Sequence, residues 1–297
     1  MSINSLKIRE LFHAQLQDWE LAGKNYEALQ HVEVKEFGDQ KVQFNPARIV
    51  SSGAKMDEKS IRERKCFLCE TNRPKEQKYL LYNDYQILVN PFPVFPEHFT
   101  ISVAEHAEQL IYSRFPDMLD LAKLLDEYVL FYNGPKCGAS APDHAHFQAG
   151  IKGFLPIENV VFNQDGMKPV QTLGHTILLQ SSDRETMVSL FDKLYNSLKI
   201  NEKEKEPMMN MLVWYEEKRW VAAVFPRKKH RPDCYYAEGE GNILISPAAV
   251  DLGGVFITPL QKDFEKITAE DIARIMAEVC YNESEIRELG HKICMKD

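Results

Sequence analysis

The sequence predicts an α+β fold with antiparallel sheets and flanking helices. Segments that are apolar and rich in β-branched or aromatic residues follow one another at hairpin spacing, without a regular helix between each pair. They are Val42–Phe44, Tyr79–Val89, Phe99–Val103, Ala145–Ile151, Thr176–Gln180, Met211–Tyr215, Trp220–Phe225, Ile243–Ser246 and Val255–Thr258. Three helices carry their own start signals. Pro116 opens one whose apolar face is Met118, Leu119, Leu121, Leu124, Leu125 and Val129. Ser182-x-x-Glu185 and Thr268-x-x-Asp271 resemble capping boxes that open the other two. The N-terminal segment adds an amphipathic helix through Ile3, Leu6, Ile8, Leu11 and Leu16.

Strands occur before about residue 160 and again after about 174. The Pro/Gly/Asn-bearing segment Gly153–Gly174 reads as the connection. We therefore expect two units, residues 1–160 and 161–297, with the chemistry in the first. With 297 residues, 44% hydrophobic and 27% charged, the chain can bury a large core. A net charge of -8 excludes a general nucleic-acid binder and gives no attraction to anionic membranes, though a local basic pocket remains compatible with it. No stretch reaches the ~18 apolar residues of a membrane helix. The opening lacks an apolar core followed by a cleavage site. Six cysteines, four of them scattered, are no disulfide framework in a chain of this length. A soluble, cytoplasmic protein is expected.

The informative segment is Asn133-Gly-Pro-Lys-Cys-Gly138-Ala139-Ser140-Ala-Pro-Asp-His144-Ala-His146-Phe-Gln148. In extended chain, residues at i, i+2 and i+4 point to one face, so His144, His146 and Gln148 form a row. The Gly/Ser/Pro-rich loop before them can bring backbone N–H groups and a hydroxyl to an anion. A neutral imidazole beside a cradled phosphate suits nucleophilic attack at phosphorus. A lone His-x-His pair reads equally as a metal site or as satisfied polar residues in a cleft; the loop before it and Gln148 after it favour phosphorus chemistry.

The segment resembles the transferase branch of the histidine-triad superfamily, which includes galactose-1-phosphate uridylyltransferases, diadenosine tetraphosphate phosphorylases and GDP-hexose phosphorylases. Its His-x-His-x-Gln signature stands here as His144-Ala-His146-Phe-Gln148, with Ala145 where proline is common. The resemblance covers roughly residues 40–150. It implies two histidine-triad-like halves and nucleotidyl transfer or phosphorolysis. His146 would take a nucleoside monophosphate, Gln148 would bond a phosphoryl oxygen, and Ser140 would contact the leaving phosphate. Asn133, with Gly138 and Ala139 of the loop, would meet the nucleotide. The wording around Ser140–Gly150 looks closest to NDP-hexose phosphorylases; a dinucleoside polyphosphate phosphorylase and a non-catalytic nucleotide- or zinc-binding relative are the alternatives, and Gln148 speaks against a hydrolase. The implied partners are a nucleotide substrate and a phosphate or sugar 1-phosphate acceptor, with a homodimer as the oligomer.

Cys66-Phe-Leu-Cys69 reads by itself as metal-binding, redox-active or simply a buried thiol pair. The resemblance implies a structural zinc held by Cys66, Cys69, His98 and His144. Arg48 falls where the family sets arginines near phosphate, against the commoner solvated arginine. The run Arg227-Lys-Lys229-His230-Arg231 offers either a phosphate site or a solvated turn. Asn90-Pro-Phe-Pro-Val-Phe-Pro96 could line a base slot or pack on the core. His13, His31, His106, His175 and His291 carry no motif and read as structural or exposed, and Cys137 receives no role.

Overall fold

The computed structural model describes residues 3–49, 53, 58–160, 164–170 and 176–294. His175 and parts of the Gly153–Gly174 connection lie outside the described residues. The apolar segments form β1 (Val34–Phe37), β2 (Gln40–Phe44), β3 (Tyr79–Tyr82), β4 (Tyr85–Val89), β5 (His98–Val103), β6 (Tyr128–Asn133), β7 (His146–Ile151), β8 (Gly166–Val170), β9 (Thr176–Ser181), β10 (Met209–Glu216), β11 (Arg219–Pro226) and β12 (Val255–Thr258). The helices used below are α1 (Ser5–Asp18), α2 (Glu20–Leu29), α3 (Glu58–Glu63), α4 (Phe115–Leu124), α5 (Arg184–Tyr195), α6 (Asp233–Tyr236), α7 (Ala249–Leu252), α8 (Gln261–Lys266), α9 (Ala269–Val279) and α10 (Glu283–Cys294).

The two sets of strands are joined edge to edge. Among the described residues they make one sheet of nine strands, ordered β3-β4-β5-β7-β6-β10-β11-β9-β8 and antiparallel throughout. The seam is β6 against β10, from Leu130↔Val213 to Asn133↔Asn210. One face is covered by α1, α4 and α5, where the Phe115 and Phe191 rings stack at 4.0 Å. The opposite face packs Phe95, Trp214, Phe225 and Phe256 under α9. Burial on both faces explains why β6 escapes a sequence reading. Its apolar run has no alternation and looks like a continuation of α4, which ends instead where Leu125 turns to ψ 52°.

A second junction crosses the molecule. β12 pairs parallel to β2, and β1 pairs to the other edge of β2. Ile243–Ser246, expected as a strand, belongs to no sheet among the described residues; the Leu244 N–H donates to the Asp263 carboxylate instead. Thr268 caps α9 with the expected box, whereas α5 is capped one residue later than expected, by Asp183, which accepts from the Thr186 N–H. No described helix is long and apolar enough to cross a membrane.

At the end of the seam stands Arg227, buried at the close of β11. Its Nε donates to the Val279 carbonyl, Nη1 to Asn210 Oδ1 and the Pro247 carbonyl, and Nη2 to the carbonyls of Lys229 and His230. Every donor of the guanidinium is thereby used inside the protein. The expectation that Arg227 binds substrate is corrected on that ground. Asn210 passes the connection on: its Nδ2 donates to Asn133 Oδ1 at 2.7 Å and to the Cys137 carbonyl at 2.6 Å.

Removing this strut leaves several buried carbonyls without a donor, each costing about 1–3 kcal/mol. Arg227→Met should lower the unfolding free energy by about 3–5 kcal/mol, read from the urea midpoint at constant slope. A loss below about 1 kcal/mol would contradict the strut.

Candidate active site

β7 carries the His-x-His-x-Gln row. His146 opens the strand and Gln148 follows on the same face, while His144 lies just before it. Pairing with β5 sets Ser102 opposite His146, Thr100 opposite Gln148 and His98 opposite Gly150. Gln109 fixes the backbone of His146 from below: its Oε1 accepts the His146 N–H at 2.7 Å, and its Nε2 donates to the carbonyls of His146 and Asn133, both at 3.0 Å. Sequence reasoning missed Gln109, because a single glutamine in a loop carries no pattern.

The ring of His146 is held by its own strand. Nδ1–H donates to the His144 carbonyl at 2.8 Å, which leaves Nε2 as the atom with the free lone pair. Nε2 has no hydrogen-bond partner among the described residues. Burial pushes the ring down to about 4, so it is neutral at physiological pH.

A cavity opens beside Gln148, and both halves of the chain supply its walls. Arg48, Asn133, Gly138, Ser140 and Gln148 come from the first half, and Ser246, Ala248 and Asp251 from the second. Gly138 is required there twice over. Its φ is +90°, and a Cβ would stand 2.7 Å from the Ala248 Cβ. Asn133 Oδ1 is occupied by the N–H groups of Asn210 and Ala249, so its amide nitrogen is the end left for a ligand. Arg48 follows β2 on the short helical turn Pro46–Arg48, and its Nη1 donates to the Phe92 carbonyl. Burial lowers it to about 10, and it keeps its charge. Arg64 ion-pairs with Asp143 and so ties down the Ser140–His144 stretch. A larger cavity of about 750 Å³ lies between the β1–β2 turn and residues 153–160, but no histidine or cysteine lines it.

The remaining basic residues diverge. Lys229 turns to Asp233 and Glu278, away from the cavity. His230 is not among the cavity walls, and burial with Arg231, Arg227 and Lys136 nearby holds it at about 4. Arg231 touches a wall through Nε, which donates to Ser246 Oγ at 3.0 Å. Ala139 is buried behind Gly138 and Ser140.

A second cluster sits at the far end of β5. Cys66, Cys69, His106 and His144 place one ligand atom each within 4.8 Å of one another. Cys66 Sγ lies 3.3 Å from His144 Nδ1, and Cys69 Sγ lies 3.2 Å from His106 Nδ1 and 3.6 Å from His144 Nδ1. Ligand bonds of ~2.0–2.3 Å around tetrahedral zinc imply edges of roughly 3.5 Å, so the set fits such an ion. His144 Nε2–H donates to the Val103 carbonyl at 2.9 Å, which leaves Nδ1 free to ligate and orients the ring. His98 is not a member, contrary to expectation. It starts β5, and ~3.3 Å of rise per residue separates it by roughly 17 Å from Val103. His106, read as unremarkable, takes that place because the Ala145 N–H donates to the Ala107 carbonyl and draws residues 104–107 beside His144.

Residues 11–151 match a family described as a domain of unknown function (DUF4922), and residues 155–296 match one described as GDPGP1-like, C-terminal domain. No curated protein matches by sequence. Among solved structures, yeast Ap4A phosphorylase Apa2 in complex with Ap4A is similar at 18% identity and a TM-score of 0.57, over 95% of this chain and 99% of that one. The same enzyme in complex with AMP gives 19% and 0.56, over 89% and 96%. An ADP-glucose phosphorylase from Arabidopsis thaliana with bound ADP-glucose aligns at 14% identity and a TM-score of 0.32, over 85% and 100%.

The buried ring makes a direct prediction. In a histidine-labelled NMR titration His146 should titrate near 4, not 6.5. A depressed folded value means that its contribution to stability is complete above pH 6.5. That contribution is lost as the pH falls toward 4, when only the unfolded chain takes up the proton. A His146 midpoint at 6 or above would contradict the enclosed ring.

Proposed function

With the two-halved fold of the histidine-triad superfamily's transferase branch as premise, we propose that the protein is a nucleotidyl-transferring phosphorylase that works through a covalent nucleotidyl–His146. The preferred donor is a nucleoside diphosphate hexose. The observation that carries this reading is the neutral His146 ring, with Nε2 unpartnered, on the same strand face as Gln148, which walls a cavity together with Arg48, Gly138 and Ser140.

In the first step Nε2 attacks the α-phosphorus, an N–P bond forms, and the bond to the bridging oxygen breaks. Hexose 1-phosphate leaves as an anion and needs no proton. The positive charge that develops on the ring is met through Nδ1–H by the His144 carbonyl. The Gln148 amide, the Ser140 hydroxyl and the Arg48 guanidinium face the oxygens on which negative charge accumulates, and preorganised donors of this kind are the main device available for phosphoryl-type transfer. In the second step orthophosphate attacks the same phosphorus, the N–P bond breaks, and a nucleoside diphosphate is released. The reacting groups lie before residue 160, and the second half contributes Ser246, Ala248 and Asp251 to the far wall. Every group named in these two steps belongs to one chain.

Cys66, Cys69, His106 and His144 would hold a zinc ion in the same protein. Bound there, the ion would brace residues 66–69, 106 and 144 against one another next to the nucleophile. A second donor class, dinucleoside polyphosphates, is favoured by the fold's likeness to Apa2 along nearly the whole length of both chains.

Intact-mass spectrometry tests the function. With phosphate omitted at mildly alkaline pH, one nucleoside monophosphate should add to the wild type and be discharged by orthophosphate. His146→Ala should show no adduct and lose more than about 99% of turnover. An equal adduct on His146→Ala would remove the nucleophile, and binding without any adduct would favour a non-catalytic relative. Comparing adduct rates from nucleotide sugars and dinucleoside polyphosphates ranks the two donor classes. Elemental analysis should find close to one zinc per chain, lost in His106→Ala and kept in His98→Phe; metal-free wild type would dispose of the zinc.

A further inference from the structure

We infer that His98 is a positioning residue for the transfer step, holding the Gln148 carboxamide so that its NH2 group, not its oxygen, faces the cavity. The inference rests on the function proposed above and adds a residue to it. The proton on the His98 ring is fixed by its neighbours. The Val94 N–H donates to Nδ1 at 3.2 Å, so in the neutral ring the proton resides on Nε2. Nε2–H then donates to Gln148 Oε1 at 3.0 Å. The ring is 1% exposed, and burial together with the nearby Arg48 charge keeps it neutral, at about 3.

Asn90 completes the arrangement. Its Nδ2 donates to the same Oε1 at 3.2 Å and to Thr100 Oγ1 at 3.1 Å. Two donors converge on one oxygen, so a flipped Gln148 would set its NH2 against two N–H groups. The amide end is left for the cavity that Gln148 lines. Strand register makes this local. His98, Thr100 and Ser102 alternate along β5 on the face shared with Gln148 and His146, two residues apart. The His98 ring lies 5.5 Å from Phe95 and 5.6 Å from Phe131, centroid to centroid, so a phenylalanine can replace its shape without its hydrogen bonds.

The test uses His98→Phe, His98→Gln, Gln148→Ala and the double variant His98→Phe/Gln148→Ala, with thermal midpoints recorded for each. A loosened donor should lower kcat about 10–100-fold in His98→Phe and leave KM within about threefold. His98→Gln, which retains an N–H able to reach Oε1, should recover most of the loss. In the Gln148→Ala background the His98 change should add less than about threefold. Losses that multiply fully, or an unchanged kcat in His98→Phe, would overturn the inference.

A second readout does not depend on turnover. The Gln148 side-chain NH2 pair, assigned by its disappearance in Gln148→Ala, should shift and broaden in His98→Phe. The same resonances in both proteins would overturn the positioning role even for a chain that forms no adduct. A wild type without an adduct, by contrast, removes the proposed function and leaves the orientation of Gln148 to this measurement.

Discussion

Everything at the centre of this molecule depends on the register between β5 and β7. The Val103 N–H bonds the Ala145 carbonyl, and the Ile151 N–H bonds the Glu97 carbonyl. The pairs between them alternate, so Ser102/His146, Thr100/Gln148 and His98/Gly150 are the positions without mutual hydrogen bonds, where side chains approach most closely. A slip of one residue would turn His146 and Gln148 to the opposite face. The register is secured by volume as well as by hydrogen bonds. A Cβ on Gly150 would strike the Phe95 ring at 2.3 Å, so glycine is the residue that lets this aromatic lie flat over the strand beside His98.

Electrostatics work in the same direction. An acidic chain that takes the proposed phosphorylated substrate needs local positive charge without a basic surface. Here that charge comes from Arg48, a few oriented N–H groups and glycine-exposed backbone. His98 and His146, on the strand face shared with Gln148, are neutral through burial, so they offer lone pairs and directed protons in place of charge. Arg227 and Lys229, which looked like phosphate binders, are taken up by carbonyls and carboxylates of their own half. A cationic run on a sequence carries no information about which of its donors the fold has already used.

The legible parts of this protein were those in which chemistry is local in sequence. His144, His146 and Gln148 announce themselves by spacing, Gly138 and Ser140 by the loop that precedes them, and Cys66 with Cys69 by the interval between them. What could not be read depends on which segments the sheet brings together. His98 and His106 lie eight residues apart at opposite ends of one strand, and only the pairing of residues 104–107 with Ala145 decides which of them reaches the cysteines. β6 was hidden because a strand buried on both faces loses its period of two. Asn210, Ser246 and Asp251 had no signal: Asn210 is defined by Asn133 of the other half, and Ser246 and Asp251 by the wall they form with residues of the first half.

The parallel pairing of β12 with β2 also bears on the order in which the protein can assemble. Most pairs of the nine-stranded sheet are hairpins or near neighbours, with the β6–β10 seam as the long-range exception. The clasp, in contrast, joins Lys41 to Val255 and cannot form until both halves exist. Closing so long a loop costs chain entropy that rises only with the logarithm of its length, yet contacts of this separation come late in folding. Arg48 leaves the end of β2, and Asp251 stands just before β12. The wall they share therefore joins two residues from opposite ends of the sequence, and it can be completed only after the second half of the chain has been made.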